Sequence, residues 1–126
     1  MKTYLSDDQI NPRQILKLPT QTGLEIIDTC TIIRIEAISN YSKLFFRNGG
    51  TLVVAKLLRW FEECLGTAQF IRLHRTHIVN KKLIAGYTSS EGARVNMVNG
   101  EWIAVSKRKR SYFLQSWNGC VAAKAE

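Results

Sequence analysis

One stretch restricts the possible folds more than any other: Phe70-Ile71-Arg72-Leu73-His74-Arg75-Thr76-His77-Ile78-Val79-Asn80. It begins with strict alternation, which sends Ile71 and Leu73 to one face of a strand and Phe70, Arg72 and His74 to the other. Arg75, Thr76 and His77 then interrupt the apolar run before Ile78-Val79, and no acid occurs between Arg72 and Lys82. A strand that ends in Arg, Thr and His makes poor core and good contact surface. Arg offers a planar fork of donors, Thr a hydroxyl, and His a group that donates or accepts.

A solvated turn accounts for the same residues. A metal site does not: strand spacing places His74 and His77 on opposite faces, and no second ligand cluster is visible. No metal and no cofactor is expected.

The chain of 126 residues suits one domain with a modest core, and 45% hydrophobic content argues against disorder. No apolar run is long enough to span a bilayer, and the N-terminus lacks a basic-then-apolar leader. Cys30, Cys64 and Cys120 have no metal-ligand spacing and read as reduced thiols of a cytoplasmic protein.

Charge carries more information. The formal net charge is +8, and it is placed unevenly. Residues 1–55 hold six Lys/Arg against five Asp/Glu, whereas residues 56–126 hold twelve against five. A one-sided cationic excess points to a polyanionic partner: nucleic acid, an anionic membrane surface or an acidic protein.

Residues 1–12 end in Asn11-Pro12 and read as a loosely held arm, within a lead-in and first strand at 1–22. Gln14–Leu18 and Leu24–Ile27 read as strands around a Pro19–Gly23 loop. Thr31–Ile38 is a stronger strand, with Ile33, Ile35 and Ala37 on one face and Arg34 and Glu36 poised to pair on the other. The polar loop Ser39-Asn40-Tyr41-Ser42 leads to a strand at Lys43–Arg47, then an Asn48-Gly49-Gly50 hairpin and its return strand Thr51–Val54.

Leu57, Trp60, Phe61, Cys64 and Leu65 form a helical stripe that Gly66 ends in the left-handed conformation. Beyond Phe70–His74, strands are expected at Ile84–Thr88 and Ala93–Val98. A two-residue Asn99-Gly100 turn would then pair Met97 with Trp102 and Val95 with Ala104. That register places apolar residues on both faces and predicts a partly sandwiched hairpin. Ser106 reads as the N-cap of a last helix that docks through Phe113, Leu114 and Trp117 and stops at Asn118-Gly119.

If Ser106 caps this helix, its first turn holds Lys107, Arg108, Lys109 and Arg110. Four cations at the positive end of the helix dipole cost about 0.3–1 kcal/mol each when exposed. A bound phosphate reverses the sign, because free backbone N–H groups and cations then converge on one anion. With Arg72–Lys82, this cluster supplies eight of the eighteen cations; Thr76, Asn80 and Ser106 add neutral donors suited to phosphate oxygens. No aromatic pair has the spacing of an RNA-stacking sheet. No acid, base and nucleophile cluster with visible geometry, so catalysis is not expected.

The motifs are specific in combination. Ile33-x-Ile35-Glu36-Ala37 precedes Asn40-Tyr41; then come Phe70-x-Arg72-x-His74-Arg75-Thr76-x-Ile78-Val79-Asn80, Asn99-Gly100, and Ile103-x-Val105-Ser106-x-Arg108. From about Leu24 to Leu114 the chain resembles the LytTR domain, a bacterial DNA-binding module usually found at the C-terminus of response regulators. The resemblance implies a mainly β fold: an elongated arrangement of small antiparallel sheets with one mid-chain helix and a C-terminal helix. The domain would span 23–117, with a tail at 118–126.

The resemblance also implies a transcriptional regulator whose loops enter successive major grooves of double-stranded DNA. Three segments would make contact: Asn40-Tyr41-Ser42-Lys43, then Arg75-Thr76 with Arg72 nearby, then Ser106-Lys107-Arg108 with Arg110 behind. Base edges would fall to Ser42 or Lys43, Arg75 and Lys107; phosphates to Arg72, Thr76, Ser106, Arg108 and Arg110. Paired direct repeats are the expected sites, bound by a chain that is monomeric in free solution. Ala55 stands where a capping Ser often precedes the helix, so that helix should start less firmly. The residues ahead of the match, about 23, are too few for a receiver domain, so phosphorylation of an attached domain is not the expected control. The alternative is a non-catalytic basic module for an acidic protein partner or an anionic membrane surface.

Overall fold

The computed structural model describes residues 15–117 and is mostly β, with three small antiparallel sheets and two helices. β1 (Ile15–Thr20) and β2 (Gly23–Asp28) form a two-stranded hairpin. The five-stranded sheet is built from β3 (Ile32–Ile38), β4 (Tyr41–Phe46), β5 (Thr51–Val54), β6 (Phe70–His74) and β7 (His77–Asn80), in the order β5-β4-β3-β7-β6. β8 (Ile84–Thr88), β9 (Arg94–Met97) and β10 (Trp102–Ala104) form the third sheet. α1 (Leu58–Leu65) joins β5 to β6, and α2 (Lys107–Ser116) follows β10. The expected arm at 1–12 and the Asn118-Gly119 helix stop lie outside the described residues.

The five-stranded sheet separates two cores. Ile32, Ile35, Leu44, Val54, Phe70 and Ile78 pack with Leu16, Leu18 and Ile27 of the first hairpin and with Leu58 and Phe61 of α1. Ile33, Ile71, Leu73 and Val79 pack instead with Val95, Met97, Ile103 and Val105 of the third sheet and Phe113 of α2. Strand alternation explains the split: Ile71 lies opposite Val79, and Arg72 opposite Ile78, so neighbours in sequence go to different cores.

Some expectations need correction. The expected strand Phe70–His74 is β6, but the chain beyond it returns as an unexpected strand, β7, so the stretch is a hairpin closed by Arg75-Thr76. Its turn has neither Gly nor Asn, so turn chemistry gave no warning. In β3, Ile33 leaves the face of Ile35 and Ala37, because the register shifts between Ile32 and Arg34.

The Asn99-Gly100 hairpin has a three-residue loop. Met97 N–H donates to Glu101 O at 2.8 Å, and Trp102 pairs with Asn96 rather than Met97. Gly100, at φ 92°, takes up the extra residue, and Gly49, at φ 91°, does the same between β4 and β5. One step of register turns every side chain over. Val95, Met97, Ile103 and Val105 thus share the buried side, and Trp102 is half exposed beneath the Arg94 guanidinium. The hairpin is therefore covered on one face only.

In α1 the buried stripe is Leu58 and Phe61, not Leu57 and Cys64, which are exposed. The helix begins one residue later than the apolar spacing implied. Its N-cap is Leu57, two residues beyond Ala55, and makes no side-chain capping bond; Gly66 closes the helix at φ 70°. On α2, Phe113 is fully buried and stacks on Trp117, whereas Leu114 faces solvent.

Candidate nucleic-acid interface

The sheet register gathers three separated segments at one end. Ile38 pairs with Tyr41 across the Ser39-Asn40 turn, and Glu36 pairs with His77 beside the Arg75-Thr76 turn. Both turns therefore project from the same end of the five-stranded sheet. α2 begins there too, because Ser106 N–H donates to Leu73 O at 2.8 Å.

In the first segment the expected polar loop shrinks to Ser39-Asn40, with Ser39 at φ 56°. Asn40 is exposed. Ser42 is withdrawn as a DNA contact: it is fully buried within β4, and its hydroxyl donates to the Lys56 carbonyl. Lys43 is half-buried in mid-strand opposite Glu36, its ammonium 5.2 Å from the Phe45 ring centre. Of the residues expected here, Asn40 is the one at the tip.

The second segment is shaped by side chains. Thr76 N–H donates to His74 Nδ1 at 3.3 Å, and Thr76 Oγ1 lies 2.9 Å from His74 Nδ1 and 3.0 Å from His77 Nδ1. An accepting His74 Nδ1 implies that His77 Nδ1–H donates to the Thr76 hydroxyl. The two histidines are thus direct cross-strand partners on one face, not on opposite faces as strand spacing suggested. Even so, no group of three or more His, Cys, Asp or Glu residues suited to a metal occurs among the described residues.

His77 Nε2 lies 3.9 Å from Glu36, whose carboxylate also takes Arg34 Nη1 at 2.9 Å. Burial lowers the His77 pKa, a shift that Glu36 opposes and that Arg34 and His74 reinforce.

Arg72 and Arg75 differ sharply. The Arg75 side chain is exposed and makes no hydrogen bond or ion pair among the described residues. Arg72 is held on three sides: Nη1 to Glu62 at 2.8 Å, Nη2 to Arg75 O at 2.6 Å, and Nε to His74 O at 3.3 Å. Asn80, expected among the phosphate donors, is only 1% exposed. Its amide donates to Ile32 O and its oxygen accepts from Lys82 N–H, both at 3.0 Å, so it joins two strands and a 3-10 turn.

In the third segment Ser106 has the extended backbone of an N-cap, but its hydroxyl makes no capping bond. Lys107 and Arg108 are exposed, Lys109 and Arg110 half-buried, and the first turn holds no acid. Among the described residues none of the four forms an ion pair, and the buried Arg110 Nε has no partner. An open groove of about 770 Å³ runs between the second and third segments, lined by Arg59, Glu62, Arg72, His74, Arg75, Ser106, Arg108, Lys109 and Tyr112. Sequence reasoning missed Arg59, Lys109, Glu62 and Tyr112. Lys109 was within the basic run and could have been named; the two α1 residues come to the groove through tertiary packing alone.

A mostly β frame that presents two turns and an uncompensated cationic helix start at one end defines a module for a polyanion. The chain belongs to the LytTR family: the model for the LytTr DNA-binding domain matches residues 22–118. No curated protein matches the chain. Among solved structures it is similar to a LytTr DNA-binding domain from Bacillus cereus, from a protein described as a methyl-accepting/DNA response regulator. The similarity has a TM-score of 0.71 at 26% identity and covers 83% of this chain and 97% of that one.

Proposed function

We propose that this chain is a sequence-specific double-stranded DNA-binding transcriptional regulator whose three segments contact successive major grooves. The observation that carries the reading is the first turn of α2: four cations at the positive end of a helix, with no carboxylate partner among the described residues. That arrangement opposes folding by about 0.3–1 kcal/mol per exposed charge and favours binding an anion. Arg75 and Lys107 are the base readers, joined by Asn40 at the first turn. Ser106, Arg108 and Arg110 hold phosphates, with Thr76 behind Arg75. Among the described residues no helix is long and apolar enough to cross a membrane.

Selection of bound sequences from a random duplex pool tests this. A defined enriched motif is expected; an unenriched pool overturns sequence specificity. The basic-module alternative predicts retention on anionic vesicles or an acidic protein at physiological salt, with duplex DNA bound no better.

The site is proposed to be a pair of direct repeats occupied by two copies that are monomers in free solution. Three small contact segments give a small interface, and tandem binding raises affinity through effective concentration. Sedimentation of the free chain and isotherms on one and two half-sites check it. A tight dimer without DNA, or indifference to losing a half-site, counts against it.

A further inference from the structure

We propose that Arg72 and Glu62 are a positioning pair that sets the conformation of Arg75, contributing discrimination between sequences rather than attraction to phosphate. The inference rests on the reading of Arg75 as a base-contacting residue.

The conformation of a residue is set by its two flanking peptide planes. Arg72 holds a carbonyl of each: Nε takes His74 O, and Nη2 takes Arg75 O. The second plane is also gripped at its other end, where Thr76 N–H donates to His74 Nδ1. These bonds supply what the turn residues lack, since Arg75-Thr76 has no Gly, Asn or Pro to preset its shape. A guanidinium forking onto a base edge tolerates little angular error, so a fixed backbone beneath it is a condition of reading.

Glu62 gives the arrangement its anchor. Among the described residues it is the one carboxylate lining a groove that otherwise gathers Arg59, Arg72, Arg75, Arg108 and Lys109. Placed there, a negative charge works against a polyanion. Its 2.8 Å ion pair with Arg72 instead ties the turn to α1 and directs the guanidinium toward the two carbonyls. Arg72 is thereby neutralised and about three-quarters covered, at 24% side-chain exposure. Its charge is paired and three of its five N–H donors are engaged, which sets it apart from the freely presented phosphate ligand expected from resemblance.

Arg72→Lys keeps the charge and loses the fork; Glu62→Gln loses the anchor; Glu63→Gln makes the same charge change one residue along α1. Each full-length variant is titrated against the selected duplex and a scrambled duplex of equal length, over a range of salt. Glu63→Gln should tighten both alike by a small factor. Glu62→Gln should bind scrambled DNA at least as well as wild type yet lose about tenfold on the selected duplex, at the base pair facing Arg75. Arg72→Lys should lose discrimination similarly, with an unchanged salt slope on scrambled DNA.

Simple destabilisation lowers binding to both duplexes in proportion and leaves their ratio intact, so the ratio separates positioning from folding. Glu62→Gln behaving like Glu63→Gln, or Arg72→Lys discriminating like wild type, overturns the pair while sequence-specific binding stands. A wild-type chain that binds both duplexes equally overturns the underlying reading, and the pair with it.

Discussion

Arg34 and Glu101, 67 positions apart, meet in a two-pronged ion pair, with Nε at 2.8 Å from Oε1 and Nη2 at 3.2 Å from Oε2. The guanidinium also lies 3.7 Å from the Phe45 ring centre and reaches Glu36 through Nη1. Burial works against the Arg34 charge, but its bonds to Glu101 and Glu36 outweigh that and raise its pKa. Those bonds hold Glu101 below the usual carboxylate range against its own partial burial. The pair fastens the β9–β10 loop to the central sheet. Glu101→Gln should cost about 1–2 kcal/mol, the lower part of the range for charge-assisted bonds because Glu101 is partly exposed. Urea unfolding measures it, and an unchanged midpoint would show that the pair is only decorative.

His77 should make stability fall in mild acid. Its pKa in the folded chain is lowered, chiefly by burial, so the unfolded chain takes up the proton at higher pH. The stability tied to this group is complete above the ordinary imidazole pKa near 6.5 and is lost as pH falls through the lower folded value. Glu101 adds a separate loss at more acidic pH, again because its folded pKa is depressed. His77→Gln should flatten the drop in melting temperature between pH 7.5 and 5.5 while leaving the more acidic one. A wild-type drop retained in full by this variant assigns it to another group.

Salt dependence should report the number of working cations. Arg59, Arg75, Lys107, Arg108, Lys109 and Arg110 are the six basic residues of this end without an ion pair among the described residues. If Arg59, Arg108, Lys109 and Arg110 meet phosphates while Arg75 and Lys107 read bases, log K should fall against log salt with a slope of about −4 on duplex DNA. A slope near zero is incompatible with DNA binding through this surface.

Arg75 and Arg108 should fail differently. Arg75→Ala should cost about 1–3 kcal/mol on the preferred duplex and flatten preference at one position. Arg108→Ala should weaken all duplexes alike and make the salt slope shallower by about 0.9. Equal losses from both variants on selected and random duplexes would remove Arg75 from the base readers.

Asn80→Ala should harm the fold and not the interface. It leaves the buried Ile32 carbonyl without the Asn80 donor and removes the acceptor for Lys82 N–H. A cost of about 2–3 kcal/mol is expected from calorimetry, since each stranded group is worth about 1–3. The salt slope of the folded variant should not move; a shallower slope would return Asn80 to the phosphate contacts.

The sequence exposed the mainly β class, both helices and the basic character of α2, because these rest on local period and charge. It misled where a single residue of offset decided the outcome. The Asn99-Gly100 loop holds one residue more than its dipeptide implied, and that put Ile103 rather than Trp102 on the face of Val95 and Met97. Ser42 looked like contact material because Ser is polar and follows a turn; only the return of Lys56 over β4 shows its hydroxyl to be enclosed. Arg72 and Arg75 are chemically equivalent in a string of letters. What separates them is Glu62, ten residues away on α1, which no spacing rule would have selected.

The bond from Ser106 N–H to Leu73 O joins the root of the Arg75 turn to the start of α2. The bonded residues are 33 positions apart in the chain, and the buried Leu73 and Val105 shelter the link between them. The protein therefore carries its own gauge length. A tethered arm could follow its target over a stretched interval, but this pair of contacts cannot. If Arg75 and Lys107 read bases as proposed, the interval between them would itself be read, and one added base pair there would count as a mismatch even when every contacted base is right.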